Sequence, residues 1–297
     1  MIVSASYRTD IPAFYAPWFL ARLAAGACRV RNPYGGKEYE VSLGPDAVDG
    51  FVFWTRNFRP LAPDLARVAA VAPFAVQFSV LGYPHALDRA VIGVADAVAQ
   101  LRGLRRDWGS RVAVWRYDPV VLTSLTPPDW HLANFAALAK MLDGAVDEVV
   151  VSFAAPYRKT TRNLDAAAAR HGFTWRDPPT DEKTDLAARL ASIAADHGMA
   201  LTICAQPDIQ PAGVAAARCI DAARLSDVAG RPIAAAEKGN RPGCRCAASR
   251  DIGAYDTCTH GCAYCYAVQN RDTAARRYHA HDPASEFLVA GARAASD

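Results

Sequence analysis

A chain of 297 residues, 52 % of them hydrophobic, can bury a substantial core, which excludes wholesale disorder. Its 33 basic and 30 acidic residues leave a net charge of +3, too little to drive binding to a phosphate backbone, so nucleic acid is not an expected partner. No apolar run of about 18 residues occurs, and MIVSASYRTD lacks the basic-then-apolar order of an export signal, so a cytoplasmic protein with no membrane partner is expected.

Short apolar runs recur along the chain with helix-like stretches between them. The first run covers residues 2–7. Residues 12–25 follow, with Phe14, Trp18, Leu20 and Leu23 at near-helical spacing and Asp10 placed to cap them. Further runs cover 51–54, 74–81, 111–117, 148–153 and 200–204. They are apolar on both faces, as strands of a parallel sheet covered by helices are. Helix-like stretches cover 87–104, 130–142, 164–171 and 184–197, with Gly172 and Gly198 as stop signals after the last two. The alternation predicts an α/β fold, read as a (β/α) TIM-like barrel. An open Rossmann-like sheet is the competing reading, but no strand is followed by a glycine-rich phosphate loop. Residues 207–250 break the rhythm. The expected organisation is a barrel body over 1–206 and a cysteine-rich segment over 207–297 that completes it within one structural domain.

In such a barrel, function gathers at the C-terminal strand ends, and these ends are polar. Arg8 and Asp10 follow the first run, Arg56 the second, Arg116, Tyr117 and Asp118 end the fourth, and Lys159 follows the fifth. One reading makes the Arg8/Asp10 and Arg116/Asp118 pairs salt bridges and helix caps. The other has Arg8, Arg56, Arg116 and Lys159 grip a small anionic substrate, with Asp10, Asp118 or Tyr117 moving or orienting a proton.

Eight cysteines without an export signal point to a reducing compartment, where clustered thiols are metal ligands or catalytic groups more often than disulfides. Cys244, Cys246, Cys258, Cys262 and Cys265 crowd into 22 residues. The last three form C-x3-C-x2-C, a spacing that lets three thiolates reach one [4Fe-4S] cube and leaves an iron open, with Gly261 allowing the tight bend. Zinc bound by four of these cysteines or by His260 is the alternative. Cys204, Cys219, Cys244 and Cys246 suffice for a second [4Fe-4S] cluster. Buried packing is the other reading for Cys204 and Cys219, and it is the expectation for Cys28, placed on a helix-like segment.

The stretches SASYRTDIPAFY, FVFWTRN, VAVWRYDPV and SRDIGAYDTCTHGCAYCYA resemble the signature blocks of the DUF1848 family, a domain of unknown function. TCTHGCAYCYA is also similar to the cluster loop of radical SAM proteins of the spore photoproduct lyase-like group. That resemblance implies a radical SAM enzyme. Cys258, Cys262 and Cys265 would hold the cluster, S-adenosylmethionine would fill its open iron, and Tyr264 would lie near the adenine. A reducing partner such as a flavodoxin or ferredoxin would supply electrons. In that group the cysteine loop follows the first strand, whereas here the strands precede it. A circular permutation with 252–256 as a strand beside 2–7 accommodates the difference. No Gly-Gly-Glu block stands in the sequence. Two other readings stay open: an iron–sulfur enzyme using its open iron as a Lewis acid, and a zinc-stabilised binding protein.

Overall fold

The structure is a computed structural model that describes residues 1–289. Residues 290–297, the end of the expected cysteine-rich segment, lie outside the described residues. The strands are β1 (Ile2–Ala5), β2 (Ala27–Arg31), β3 (Glu38–Ser42), β4 (Gly50–Thr55), β5 (Phe74–Ser79), β6 (Ala113–Val120), β7 (Leu122–Thr123), β8 (Glu148–Phe153), β9 (Trp175–Arg176), β10 (Ala200–Ile203), β11 (Ala215–Ala216) and β12 (Ser249–Asp251). The helices are α1 (Ile11–Phe14), α2 (Ala16–Ala25), α3 (Leu65–Ala69), α4 (Val94–Trp108), α5 (Pro128–Leu142), α6 (Arg158–His171), α7 (Thr180–Asp196), α8 (Ala222–Ala229) and α9 (Arg271–His279).

The fold is α/β, built on one sheet of eight parallel strands in the order β11-β10-β8-β6-β5-β4-β1-β12. Both outer strands come from the segment beyond residue 206, and no pairing joins them to each other among the described residues. β12 lies beside β1, pairing Ile2 with Ser249 and Ser4 with Asp251. The expected strand over 252–256 therefore forms three residues earlier, in Ser-Arg-Asp. Cys28 sits in β2 of a two-stranded antiparallel hairpin with β3, not in a helix, and it is buried as packing predicts. Among the described residues no helix is long and apolar enough to cross a membrane.

Strand alternation divides the sheet into two unlike faces. Phe51, Phe53, Phe74, Phe78, Trp115 and Tyr117 point to one side with Val3, Val149 and Val151, where the helices cover them. α4 answers with Ala97, Val98, Leu101 and Leu104, and α5 with Phe135, Leu138, Ala139 and Leu142, both at helical spacing. Each fully buried aromatic or aliphatic side chain contributes about 1.5–3 kcal/mol. Smaller residues line the other face. Ile2, Val52, Ala75, Val114 and Val150 meet Ala217, Ile220, Leu225, Ile233 and Ala247 of the 207–250 segment. Arg224 of α8 clamps that segment to the sheet, reaching Asp147 at 3.0 Å, Glu148 at 2.7 Å and the Arg111 carbonyl at 2.9 Å.

The helix-covered face holds one buried histidine. His131 lies against Tyr83 and Tyr117, with Nδ1 2.9 Å from the Tyr117 hydroxyl and Nε2 3.1 Å from the Val121 carbonyl. Burial pushes its pKa down to about 4, against the pull of that carbonyl. The unfolded chain, titrating near the ordinary value of about 6.5, takes up the proton first. Stability is therefore full above that value and falls as pH drops from 6.5 to 4, by about 3 kcal/mol in all. His131→Gln, which keeps a donor for Val121, is expected to flatten this acid limb in urea denaturation measured against pH.

Candidate functional site

Residues at the C-terminal ends of β1, β4, β5, β6 and β8 open onto one cavity of about 870 Å3. Seven of the eight cysteines line it: Cys204, Cys219, Cys244, Cys246, Cys258, Cys262 and Cys265. Arg8, Asp10, Arg56, Arg116, Asp118, Lys159 and Tyr264 line it too. Tyr117 does not. It alternates to the helix-covered face, is fully buried, and bonds His131 and Asn134.

β12 delivers Asp251 to the end of β1. Its carboxylate accepts from Ser4 Oγ at 2.8 Å, Ser6 Oγ at 2.7 Å, Tyr7 N at 3.0 Å, Arg8 Nε at 2.8 Å and Gly253 N at 3.0 Å. Gly253 lies so close to Ser6 that a Cβ there would overlap the serine side chain. The chain then crosses Tyr15, whose hydroxyl donates to the Thr257 carbonyl at 2.8 Å, and enters the three-cysteine loop. Gly261 has φ +72°, the left-handed conformation that L side chains resist. The loop docks on residues 87–90: Ala263 N donates to Leu87 O at 2.8 Å, and Ala90 N to His260 O at 2.9 Å.

Burial pushes the three loop thiols up, Cys262 to about 12, and each is raised further by another cysteine of the loop or by a nearby carboxylate. A metal that binds here must displace protons. Arg56 offsets the effect at Cys262, with Nη1 3.1 Å from the sulfur. The same guanidinium grips Asp88 through two bonds, at 2.8 and 2.6 Å, and touches the Tyr264 hydroxyl, which donates to Asp88 at 2.6 Å. His260 has Nε2 2.8 Å from Asp10 and Nδ1 3.2 Å from the Ala90 carbonyl, so both ring nitrogens face oxygens. Asp10 also caps α1 through Ala13 N and accepts from Arg56 N at 2.7 Å. Among the described residues, no three His, Cys, Asp or Glu side chains are set to hold a single metal ion. A cube carries its ligands on separate corners and holds them further apart than one ion does.

The other four cysteines gather against the opposite end of the strand row. Cys204 follows β10, Cys219 follows β11, and Cys244 and Cys246 lie between α8 and β12. Cys204 Sγ is 3.6 Å from Cys219 Sγ. Cys246 interacts with the Cys219 and Cys244 thiols, and its sulfur accepts from Ile220 N at 3.4 Å. Its neighbour Cys246 pulls the Cys244 thiol down to about 6, against the effect of burial. Arg116 Nη1 lies 3.0 Å from Cys219 Sγ and Arg241 Nη2 3.6 Å from Cys204 Sγ.

All three arginines expected to grip substrate are tied to carboxylates: Arg8 to Asp251, Arg56 to Asp88, Arg116 to Asp118. Arg116 and Asp118 share a strand face and pair with each other. Arg8 and Asp10 do not pair. Lys159 lies 4.9 Å over the Tyr255 ring, and with Arg158 and Arg241 it makes no salt bridge to a carboxylate among the described residues. Asp88, Asp251 and Arg241 carry much of this geometry without standing among the expected site residues. Asp251 and Arg241 flank cysteine motifs. Asp88 lies in a loop, and its carboxylate's partners, Arg56 and Tyr264, stand 32 and 176 residues away in the chain.

No curated protein matches the chain. Its sequence matches the family described as "Domain of unknown function (DUF1848)" over residues 2–267. That span carries β1 through β12, all seven cavity cysteines and the strand-end residues around them, and the chain belongs to this family.

Proposed function

We propose that this chain is an iron–sulfur enzyme that holds a [4Fe-4S] cluster on Cys258, Cys262 and Cys265, with S-adenosylmethionine at the open iron and a small anionic substrate in the cavity. The observation that carries the reading is the loop itself. Its three thiols line the same cavity as the polar strand ends, while His260, the histidine inside the loop, has both ring nitrogens facing oxygens. The architecture is read as a partial, circularly permuted (β/α) barrel. The parallel pairing of β12 with β1 supports this, because it sets the cysteine loop beside the first strand.

Bound there, such a cluster with S-adenosylmethionine supplies one-electron bond cleavage beside the substrate. The chain's own residues do the rest. Arg56 sets a cation against Cys262 and, through Asp88, holds the Tyr264 hydroxyl, so the ring implied to neighbour the adenine is fixed. Thr9 Oγ1 and Arg56 Nε are buried at this corner without a hydrogen-bond partner, and both residues line the cavity. Arg158, Lys159 and Arg241, rather than the paired arginines, are the cations left to meet an anionic substrate. A cavity of about 870 Å3 lies in the range of small-molecule sites, about 300–1,000 Å3. Electrons would come from a small reducing protein such as a flavodoxin or ferredoxin, in the cytoplasm.

Anaerobically purified protein is expected to be brown, with iron and acid-labile sulfide, and its reduced EPR signal should change when S-adenosylmethionine is added. Colourless protein with one zinc per chain and no sulfide would overturn the cluster. An EPR signal indifferent to S-adenosylmethionine, together with no release of 5′-deoxyadenosine, would overturn the cofactor.

A further inference from the structure

We propose that Cys204, Cys219, Cys244 and Cys246 form a second iron–sulfur site, a [4Fe-4S] cluster with all four irons held by protein, facing the same cavity. The loop cluster of the preceding section is not needed for this inference.

Convergence is the first argument. The four cysteines come from three stretches of chain with α8 and a long irregular segment between them, yet all four line one cavity wall. They interact in series: Cys204 with Cys219, Cys219 with Cys246, Cys246 with Cys244. Packing alone does not call for this. A buried structural cysteine behaves as a small apolar side chain and gains nothing from three others. Nor are they disulfides, since all four are free thiols.

Charge is the second. Two guanidiniums, Arg116 and Arg241, point nitrogens at sulfur of this group, Arg116 from a side chain only 5 % exposed. Arg116 already meets Asp118 through Nη2 and turns its other terminal nitrogen to Cys219, while Arg241 has no carboxylate partner among the described residues. Thiolates bound to iron carry net negative charge and are stabilised by a nearby cation, and N–H donors to sulfur are among the features that tune such clusters.

The third argument is what holds the segment in place. Residues 230–248 contain no helix or named strand, and only a few backbone bonds fasten them, such as Lys238 N to Cys246 O at 2.8 Å. A ligand bond from each of Cys244 and Cys246 would staple this stretch to the ends of β10 and β11, as metals do in other segments too small to bury a core of their own.

The set of four, rather than any one pair, argues for a cube over a single ion. A zinc ion with bonds of about 2.3 Å draws its four sulfurs to about 3.8 Å from one another. Cys204 and Cys219, 3.6 Å apart, meet that spacing and would have to part to reach two corners of a cube, but among the described residues no three of the four are set to hold one ion. With four thiolates and no free iron, the site has no coordination position to offer a substrate, in contrast to the loop.

The test removes each site separately under anaerobic conditions and counts iron and sulfide. Wild type should hold about eight irons, and Cys258→Ala/Cys262→Ala/Cys265→Ala about four, with an EPR signal that S-adenosylmethionine does not change. Cys219→Ala/Cys246→Ala should also hold about four. Cys244→Ser, at a half-buried position, gives the same reading if that double variant fails to fold. The triple variant holding no iron, or one zinc in its place, overturns this proposal. Iron content unchanged in both Cys219→Ala/Cys246→Ala and Cys244→Ser overturns it as well. A wild type holding about four irons, all lost with the Cys219 and Cys246 thiols, would keep this site and overturn the loop cluster instead.

Discussion

Asp251→Ala is expected to lower the free energy of unfolding by about 3–5 kcal/mol, the cost of leaving one member of a buried ion pair alone. Arg8 is 5 % exposed and Asp251 7 % exposed, so water cannot take over the vacated contact. The carboxylate also accepts from two serine hydroxyls and two backbone amides, each of which loses a partner. Asp251→Asn keeps the acceptor oxygen and loses the charge, so it should fall between wild type and Ala. Arg8→Met/Asp251→Leu should recover only part of the loss, because Ser4, Ser6, Tyr7 and Gly253 still lack their acceptor. Urea denaturation of the four proteins checks the order. An Asp251→Ala protein within 1 kcal/mol of wild type would show that β12 is held to β1 by its ladder alone.

That pair also marks where the sequence stops being legible. Strands β4, β5, β6, β8 and β10 stand out because a parallel strand buried on both faces is an apolar run, and no loop imitates one. β12 does not stand out. Ser249-Arg250-Asp251 pairs as a strand through its backbone while its side chains do polar work, so the apolar Ile252 draws the eye three residues too far. The β2–β3 hairpin is half exposed, and its alternation blends into the helix before it. At the site, the polar strand ends are legible, and a strand's period of two already separates Tyr117 from Arg116 and Asp118. What the arginines are for is not legible. Asp88 and Asp251 reach Arg56 and Arg8 across 32 and 243 residues, and local sequence carries no trace of such partners. The same holds for the second cysteine group. Its count is visible in the composition, its convergence only in the fold.

Arg56→Met is expected to have the second large effect, and a paired variant separates its two causes. Alone, the substitution strands Asp88, 9 % exposed, with the Tyr264 hydroxyl as its one remaining side-chain partner, and should cost about 3 kcal/mol or more in stability. Arg56→Met/Asp88→Leu removes both charges and should regain most of that, since an apolar pair of similar volume often replaces a buried ion pair without loss. If the loop holds the proposed cluster, its iron should not recover with it. The guanidinium also donates toward Cys262 Sγ at 3.1 Å, and methionine offers neither the charge nor the N–H. The double variant should therefore unfold near the wild-type urea midpoint while losing iron faster on anaerobic gel filtration. Any cluster retained at the loop should have a more negative reduction potential, because a sulfur ligand has lost its hydrogen bond. If the double variant keeps both iron and potential at wild-type values, Arg56 is a structural partner of Asp88 and nothing more. If it loses iron but keeps its fold, Arg56 positions and compensates the thiolate beside it. A purely structural role would leave the iron count and the potential unmoved, so those two readouts decide between them.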